Sequence, residues 1–194
     1  SLTWRWPDVD APPPSRRPEI YERLAALIGP AYDSEAVPLH PARAVRDLSV
    51  VARRALVAAD PGRAGFWVAR ALPTSEPGSV VVPATPAEGF AVAAGMVAGL
   101  DDRPTLAVVD GPLGPNTRAL VELASVVGSP VTVCEWGSEG DLPDARAHKV
   151  ALREGLAAGR PAHVAVPVEL DATGPLEEAA GAISAWGGRS AWRA

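Results

Sequence analysis

The segment GFAVAAGMVAGLDDRPTLAVVDG, Gly89 to Gly111, decides how this chain is read. Its first half, to Leu100, is alanine-rich and uncharged, with the length and composition of a helix packed on an apolar surface. Asp101-Asp-Arg-Pro104 breaks it. Thr105-Leu-Ala-Val-Val109 then reads as a strand buried on both faces, because no polar residue alternates with the apolar ones, and Asp110-Gly111 ends it. Helix, break and two-sided strand form the repeating unit of a parallel sheet with helices on both faces.

The same unit extends outward in both directions. Pro41 to Arg54 carries Val45, Leu48 and Val51-Ala52 at helical spacing, and Ala55–Ala59 follows as a short strand that stops at Asp60-Pro61-Gly62. Phe66 to Leu72 reads as helix, Ser79 to Val82 as strand. Beyond the opening segment come a helix at Asn116–Val127, a strand at Pro130–Glu135, a helix at Ala147–Ala158 and a strand at Ala162–Pro167. A closing helix is expected over Glu177–Trp186. At the other end, Pro18 to Ile28 is a short helix stopped by Gly29-Pro30. Residues 1–17, with Trp4, Trp6, Pro12 to Pro14 and Arg16-Arg17, read as an extended arm suited to docking on a surface. The expected fold is therefore α/β: a doubly wound, mostly parallel sheet of about five to six strands with helices on both faces. The expected division is an arm and short helix at 1–37, the α/β domain at 38–172, and a helix and tail at 173–194.

Composition excludes several classes. The net charge is −5 and the 18 basic residues are scattered, so the chain lacks the basic stripe of a nucleic-acid binder. The longest low-charge stretch, Gly78 to Leu100, is broken by Pro83, Pro86 and Glu88, so no membrane span is read. No cationic segment precedes an apolar one at the start. The one cysteine, Cys134, lies in an apolar strand and reads as a core thiol, which rules out an internal disulfide or a multi-cysteine zinc site. A cytoplasmic location is expected. No G-x-S-x-G elbow, P-loop or G-x-G-x-x-G is present, and His40, His148 and His163 stand in no metal-ligand spacing.

In such sheets ligands bind beyond the carboxyl ends of the strands, which singles out the loops 60–65, 83–88, 110–115 and 136–144. Asp110 follows a strand directly, where a carboxylate either holds a divalent cation or bonds its own turn. Asn116 or Thr117 could cap the next helix, whose N-terminus favours an anion. Arg63 either clamps a phosphate or is a solvated surface arginine. Glu135, Glu139, Asp141 and Asp144 form either a hard-cation cluster or an acidic solvent loop.

The ordered series of pieces resembles the C-terminal, diphosphate-binding domain of the acetolactate synthase and decarboxylase group of thiamine-diphosphate (ThDP) enzymes. The resemblance covers about residues 38–170 and rests on LHPARAVRDL (Leu39–Leu48), DPGRAGFW (Asp60–Trp67), GFAVAAGMVA (Gly89–Ala98), LDDRPTLAVVDG (Leu100–Gly111), ELASVVGSPV (Glu122–Val131) and ALREGLAAGRPAHVAVPV (Ala151–Val168). It implies a subunit or fragment of a 2-oxo acid decarboxylase or carboligase, with ThDP and Mg²⁺ as cofactors. Cofactor-binding positions would be Gly62, Arg63, Asp110, Gly111 and Gly114, and the metal ligands Asp110 and Ser138. No catalytic residue is assigned, because the family's activating glutamate lies in a separate pyrimidine-binding domain. A homodimer, or a partner subunit carrying that domain, is the implied assembly. The alternative reading is a non-catalytic relic of the fold acting as a structural or regulatory partner.

The sequence departs from the family at telling places. The first glycine of the family's G-D-G motif is Val109 here. Trp136-Gly137-Ser138 stands where the family has an asparagine ligand, and Arg63-Ala64 replaces a phosphate-contacting polar pair. The related pyrimidine-binding domain has a G-P-G-x-x-N motif that Gly111-Pro-Leu-Gly-Pro-Asn116 partly matches. Asp101 to Pro104 before the strand and Asp110 after it favour the diphosphate domain.

Overall fold

In the computed structural model of the chain, residues 19–74 and 76–180 are described, so the Trp- and Pro-rich arm and most of the expected closing helix lie outside them. Five strands form one sheet: β1 (Leu56–Ala59), β2 (Val80–Val81), β3 (Thr105–Asp110), β4 (Val131–Trp136) and β5 (Ala162–Val166). Every pairing is parallel and the order is β2-β1-β3-β4-β5. The α/β doubly wound architecture is as the sequence implies. A single parallel bridge, Leu39 to Val168, extends the β5 side.

Among the described residues seven α-helices accompany the strands: α1 (Glu19–Ile28), α2 (Pro41–Val51), α3 (Arg63–Ala71), α4 (Phe90–Leu100), α5 (Pro115–Val127), α6 (Ala145–Ala157) and α7 (Gly174–Ala180). Alternate strand residues supply two separate cores, the period-two consequence of pleating. On one face Val57, Leu106, Val108, Cys134 and Trp136 pack with Trp67 of α3, Leu48 of α2 and Leu152 of α6. Leu24 and Ile28 of α1 and Leu176 of α7 join that same core. On the other face Leu56, Ala58, Ala107, Val109 and Val133 meet Ala91 and Val92 of α4 and Ala124 of α5.

Local signals account for most boundaries. Pro41 starts α2 just after His40, whose Nδ1 accepts the Ala42 N–H at 3.1 Å. Gly89 precedes α4 at φ 85°, a left-handed conformation, and a Cβ there would strike the Leu120 side chain. Two boundaries differ from expectation. The helix expected from Phe66 begins at Arg63, because its first turn is capped from a distant loop. The second strand has two residues where four were expected, because as an edge strand it pairs only with β1. Cys134 is fully buried, and burial pushes its thiol up to about 12, consistent with a core role.

Candidate functional site

The chain leaves β1 through α3 on one face and returns from β2 through α4 on the other. The adjacent strands β1 and β3 therefore flank the topological switch point, where open α/β sheets form their ligand crevice. Asp60 follows β1 and Asp110 ends β3, so both carboxylates stand at its mouth.

Each is already engaged. Asp110 Oδ2 accepts the Arg63 N–H at 2.9 Å and Oδ1 the Ala64 N–H at 2.7 Å, so this carboxylate caps α3. Asp60 Oδ2 accepts the Gly89 N–H at 2.8 Å and Oδ1 the Ala91 N–H at 2.7 Å, capping α4. Glu88 Oε1 accepts the N–H groups of Asn116 at 3.0 Å and Thr117 at 3.4 Å, capping α5. Asp144 Oδ1 does the same for its own helix, α6, through Arg146 and Ala147. A helix N-terminus offers unpaired N–H groups and the positive end of its dipole, the features that hold phosphate. Here four such ends along one sheet edge are filled by the chain's own carboxylates, three of them reaching across from another loop.

The glycines nominated from the sequence serve that arrangement. A Cβ on Gly62 would lie 2.8–2.9 Å from the Asp110 carboxyl atoms, one on Gly111 would lie 2.8 Å from Glu135 Oε1, and one on Gly114 would collide with the Glu88 carboxylate. All three permit close approach of a carboxylate.

Burial raises Asp110 above its ordinary value of 3.8, opposed by the bonds from Ala64 and Arg63 and by the Arg63 charge. Asp60 is raised as well, first by burial and further by the nearby charges of Asp110 and Glu88, against the lowering bonds from Ala91 and Gly89.

The remaining candidates are dispersed. The Arg63 guanidinium reaches outward to Asp171, at 2.6 Å, in an exposed pair. Ser138 Oγ is buried with no hydrogen-bond partner in the structure. Glu135 bonds His163 Nε2 through Oε2 at 2.7 Å, while Asp144 is a cap, so the acidic residues after β4 do not converge. Among the described residues no group of three or more His, Cys, Asp or Glu could hold a metal ion.

Mg²⁺ takes a near-octahedral set of oxygens. Each Asp110 oxygen already accepts an α3 N–H, so a cation there would compete with the cap for that carboxylate, and a diphosphate at this edge would have to displace a carboxylate from an N-terminus it already satisfies. The residues present do not fit Mg²⁺–diphosphate in this conformation.

Sequence reading missed two features. Asp60 and Glu88 act as caps on helices that begin 30 and 27 residues later, a pairing without a local signal. Arg43, Asp47 and His148 form a buried network: Arg43 Nε lies 3.2 Å from Asp47 Oδ1, His148 Nδ1 lies 3.1 Å from Asp47 Oδ2, and Arg43 Nη1 donates to the Ser34 carbonyl at 2.7 Å. The i, i+4 spacing of Arg43 and Asp47 was its one visible trace. A recess of about 470 Å³, bordered by Arg53, Arg54, Leu72, Thr74 and Ser79, lies at the opposite, amino-terminal edge of β1 and β2.

These features define a doubly wound, all-parallel α/β domain whose carboxyl edge is lined by the chain's own capping carboxylates. Among solved structures, a similar one is an enzyme described as thiamin diphosphate-dependent, isolated from Mycobacterium smegmatis. The two share 16% identity with a TM-score of 0.57, over 69% of this chain and 33% of that one. At this identity the likeness shows the fold, and this chain spans about a third of that structure's length. No family model matches the sequence, and no curated protein matches it. Among the described residues no helix is long and apolar enough to cross a membrane.

Proposed function

We propose that this chain is a ThDP-enzyme-like domain that works without the cofactor, as a structural or regulatory partner in the cytoplasm. The observation that supports it is the capping of α3, α4 and α5 by Asp110, Asp60 and Glu88. A cofactor-binding edge needs free N–H groups and a carboxylate able to reach a cation. This edge has spent both.

Titration calorimetry with ThDP plus Mg²⁺, up to millimolar cofactor, tests the reading. No heat is expected. Saturable binding lost on Asp110→Ala would overturn it, and would favour the second reading: a diphosphate-domain subunit of an acetolactate synthase-like 2-oxo acid decarboxylase or carboligase, completed by a pyrimidine-binding partner. That reading draws on the placement of Asp110 and Gly111 at the end of β3 beside the switch point. It requires Asp110 and Ser138 to converge on the metal when the partner binds, with Asp110 using the lone pairs that its cap of α3 leaves free.

A further inference from the structure

Two turns border the recess at the amino-terminal edge of β1 and β2, at the opposite ends of the strands from the capping carboxylates. In one, the Ala55 N–H donates to the Ala52 carbonyl at 3.0 Å, so Arg53 and Arg54 are its central residues. In the other, the Ser79 N–H donates to the Glu76 carbonyl at 3.2 Å. Pro77 and Gly78 are central there, with Gly78 at φ 71°, where a side chain would be strained. Both turns are fixed to the sheet. Ala55 leads straight into β1, and the Ser79 carbonyl accepts the Val57 N–H at 2.8 Å. Arg103 Nη2 donates to the Gly78 carbonyl at 3.1 Å, tying the second turn to the start of β3. Val57, Leu72 and Val80 give the recess an apolar lining between the turns.

The polar groups of this recess are sorted into donors and acceptors. Among the described residues neither Arg53 nor Arg54 has a hydrogen bond or an ion pair. Cations suit a helix C-terminus such as that of α2, yet neither guanidinium bonds one of its carbonyls. Two positive forks of N–H groups therefore border one cavity without a partner among the described residues.

The three hydroxyls are the reverse case. Ser49 Oγ donates to the Arg46 carbonyl at 2.7 Å. Thr74 Oγ1 and Ser79 Oγ bond each other, and both reach the Glu76 carbonyl, at 3.2 and 2.6 Å. The two hydroxyl protons of that pair are spent inside the turn. All three hydroxyls therefore keep only lone pairs for an outside group, and the Glu76 carboxylate also only accepts.

We propose that this recess binds a phosphate monoester of a hydroxylated ring, the class that includes sugar phosphates and nucleoside monophosphates. The phosphate sits on Arg53 and Arg54, and ring hydroxyls donate to Thr74, Ser79 and Glu76. Two guanidiniums suit a phosphate better than a carboxylate, because its three terminal oxygens and nearly two charges accept a fork from each. Glu76 repels a second anionic group, which selects a monoester over a polyphosphate. The volume of about 470 Å³ lies within the range of roughly 300–1,000 Å³ usual for small-molecule sites. The site goes beyond the cofactor-free reading above and does not depend on it.

Titration calorimetry on the full chain, with EDTA present, tests this with ribose 5-phosphate, AMP, inorganic phosphate and ribose. A phosphate ester is expected to bind saturably, about tenfold or more tighter than inorganic phosphate, as one or two ring hydrogen bonds would give. Ribose alone is expected to give no heat. Tighter binding of AMP than of ribose 5-phosphate assigns the apolar lining to a base, and equal binding assigns the site to sugar phosphates. Arg53→Ala with Arg54→Ala is expected to weaken ester binding at least about a hundredfold, through loss of charge-assisted bonds. Both arginines are exposed, so an unchanged circular dichroism spectrum is expected. Thr74→Val is expected to narrow the preference for ester over inorganic phosphate. Arg153→Ala, an exposed position of α6 outside the recess, is expected to bind as the wild type does. No saturable ester binding at millimolar concentration, equal affinity for inorganic phosphate, or binding that survives the double substitution overturns the proposal. Each of those results leaves the cofactor-free reading standing. Heat from ThDP plus Mg²⁺ that depends on Asp110 would refute that reading without bearing on the recess.

Discussion

Replacing Asp110 with alanine separates a structural cap from a metal ligand by the sign of its effect on stability. As a cap, the carboxylate satisfies the N–H groups of Arg63 and Ala64, both at the start of α3. Losing an N-cap costs about 0.5–2 kcal/mol. Leaving a buried donor unsatisfied costs about 1–3 kcal/mol, reduced here where water can follow into the space vacated. Against this stands relief from holding a carboxylate in a buried place, the cause of its raised pKa. The net expectation is a loss of about 1–3 kcal/mol, or roughly 2–10 °C in Tm for a chain of this length. Asp110→Asn keeps one acceptor oxygen and should lose about half as much. Urea unfolding followed by circular dichroism, without cofactor, reads both variants. A buried carboxylate poised for a missing cation is a liability in the metal-free protein, so its removal would stabilise. An Asp110→Ala chain as stable as the wild type, or more so, in the absence of Mg²⁺ would refute the capping argument.

Other perturbations follow from the same geometry. Gly62→Ala places a methyl 2.8–2.9 Å from the Asp110 carboxyl, an overpacking that should cost about 1–3 kcal/mol. Combined with Asp110→Ala the cost should shrink, and a double-mutant cycle that is merely additive contradicts the contact. Asp60 and Asp110 hold their protons to higher pH in the folded chain than in the unfolded one. Their contribution to stability is therefore fully present below the unfolded value of 3.8, falls as pH rises through the raised folded values, and is constant above them. The urea midpoint of the wild type relative to Asp60→Asn/Asp110→Asn should decline across that acidic window, whereas a rising difference would reverse the assignment. Asp47→Ala removes the acceptor shared by Arg43 Nε and His148 Nδ1 while Arg43 keeps the Ser34 carbonyl and Glu35, and should cost about 1–3 kcal/mol; a loss under about 1 kcal/mol would mean the network contributes little. Arg63→Ala breaks only an exposed pair with Asp171 and should change the unfolding free energy by less than about 1 kcal/mol, again read by urea.

The α/β architecture was open to local reading because its cause is local. Strands such as Thr105–Val109 are apolar at every position because both faces of a parallel sheet are covered, and Pro41, Gly89 and Gly128 mark helix ends by backbone preference. The same reading placed Asp110 and Gly62 beside the switch point. It left open whether Asp110 holds a cation or bonds backbone, and it assigned Asp60, Glu88 and Asp47 no role, since Asp60 and Glu88 act on N–H groups 28 to 31 residues away and Asp47 reaches His148, 101 residues away.

The sequence by itself determined the fold and the edge at which a site belongs, because periodicity and chain breaks are properties of neighbouring residues. Only the tertiary structure decided what occupies that edge. Which N–H groups a carboxylate can reach depends on loops folded together across the sheet, and here those loops bring Asp60, Glu88 and Asp110 onto the N-termini of α4, α5 and α3. Helix α4 shows the same division. Its apolar character was plain in the segment Gly89–Leu100, but that Val97 and Leu100 stay exposed became visible only once the sheet had claimed the opposite side of the helix.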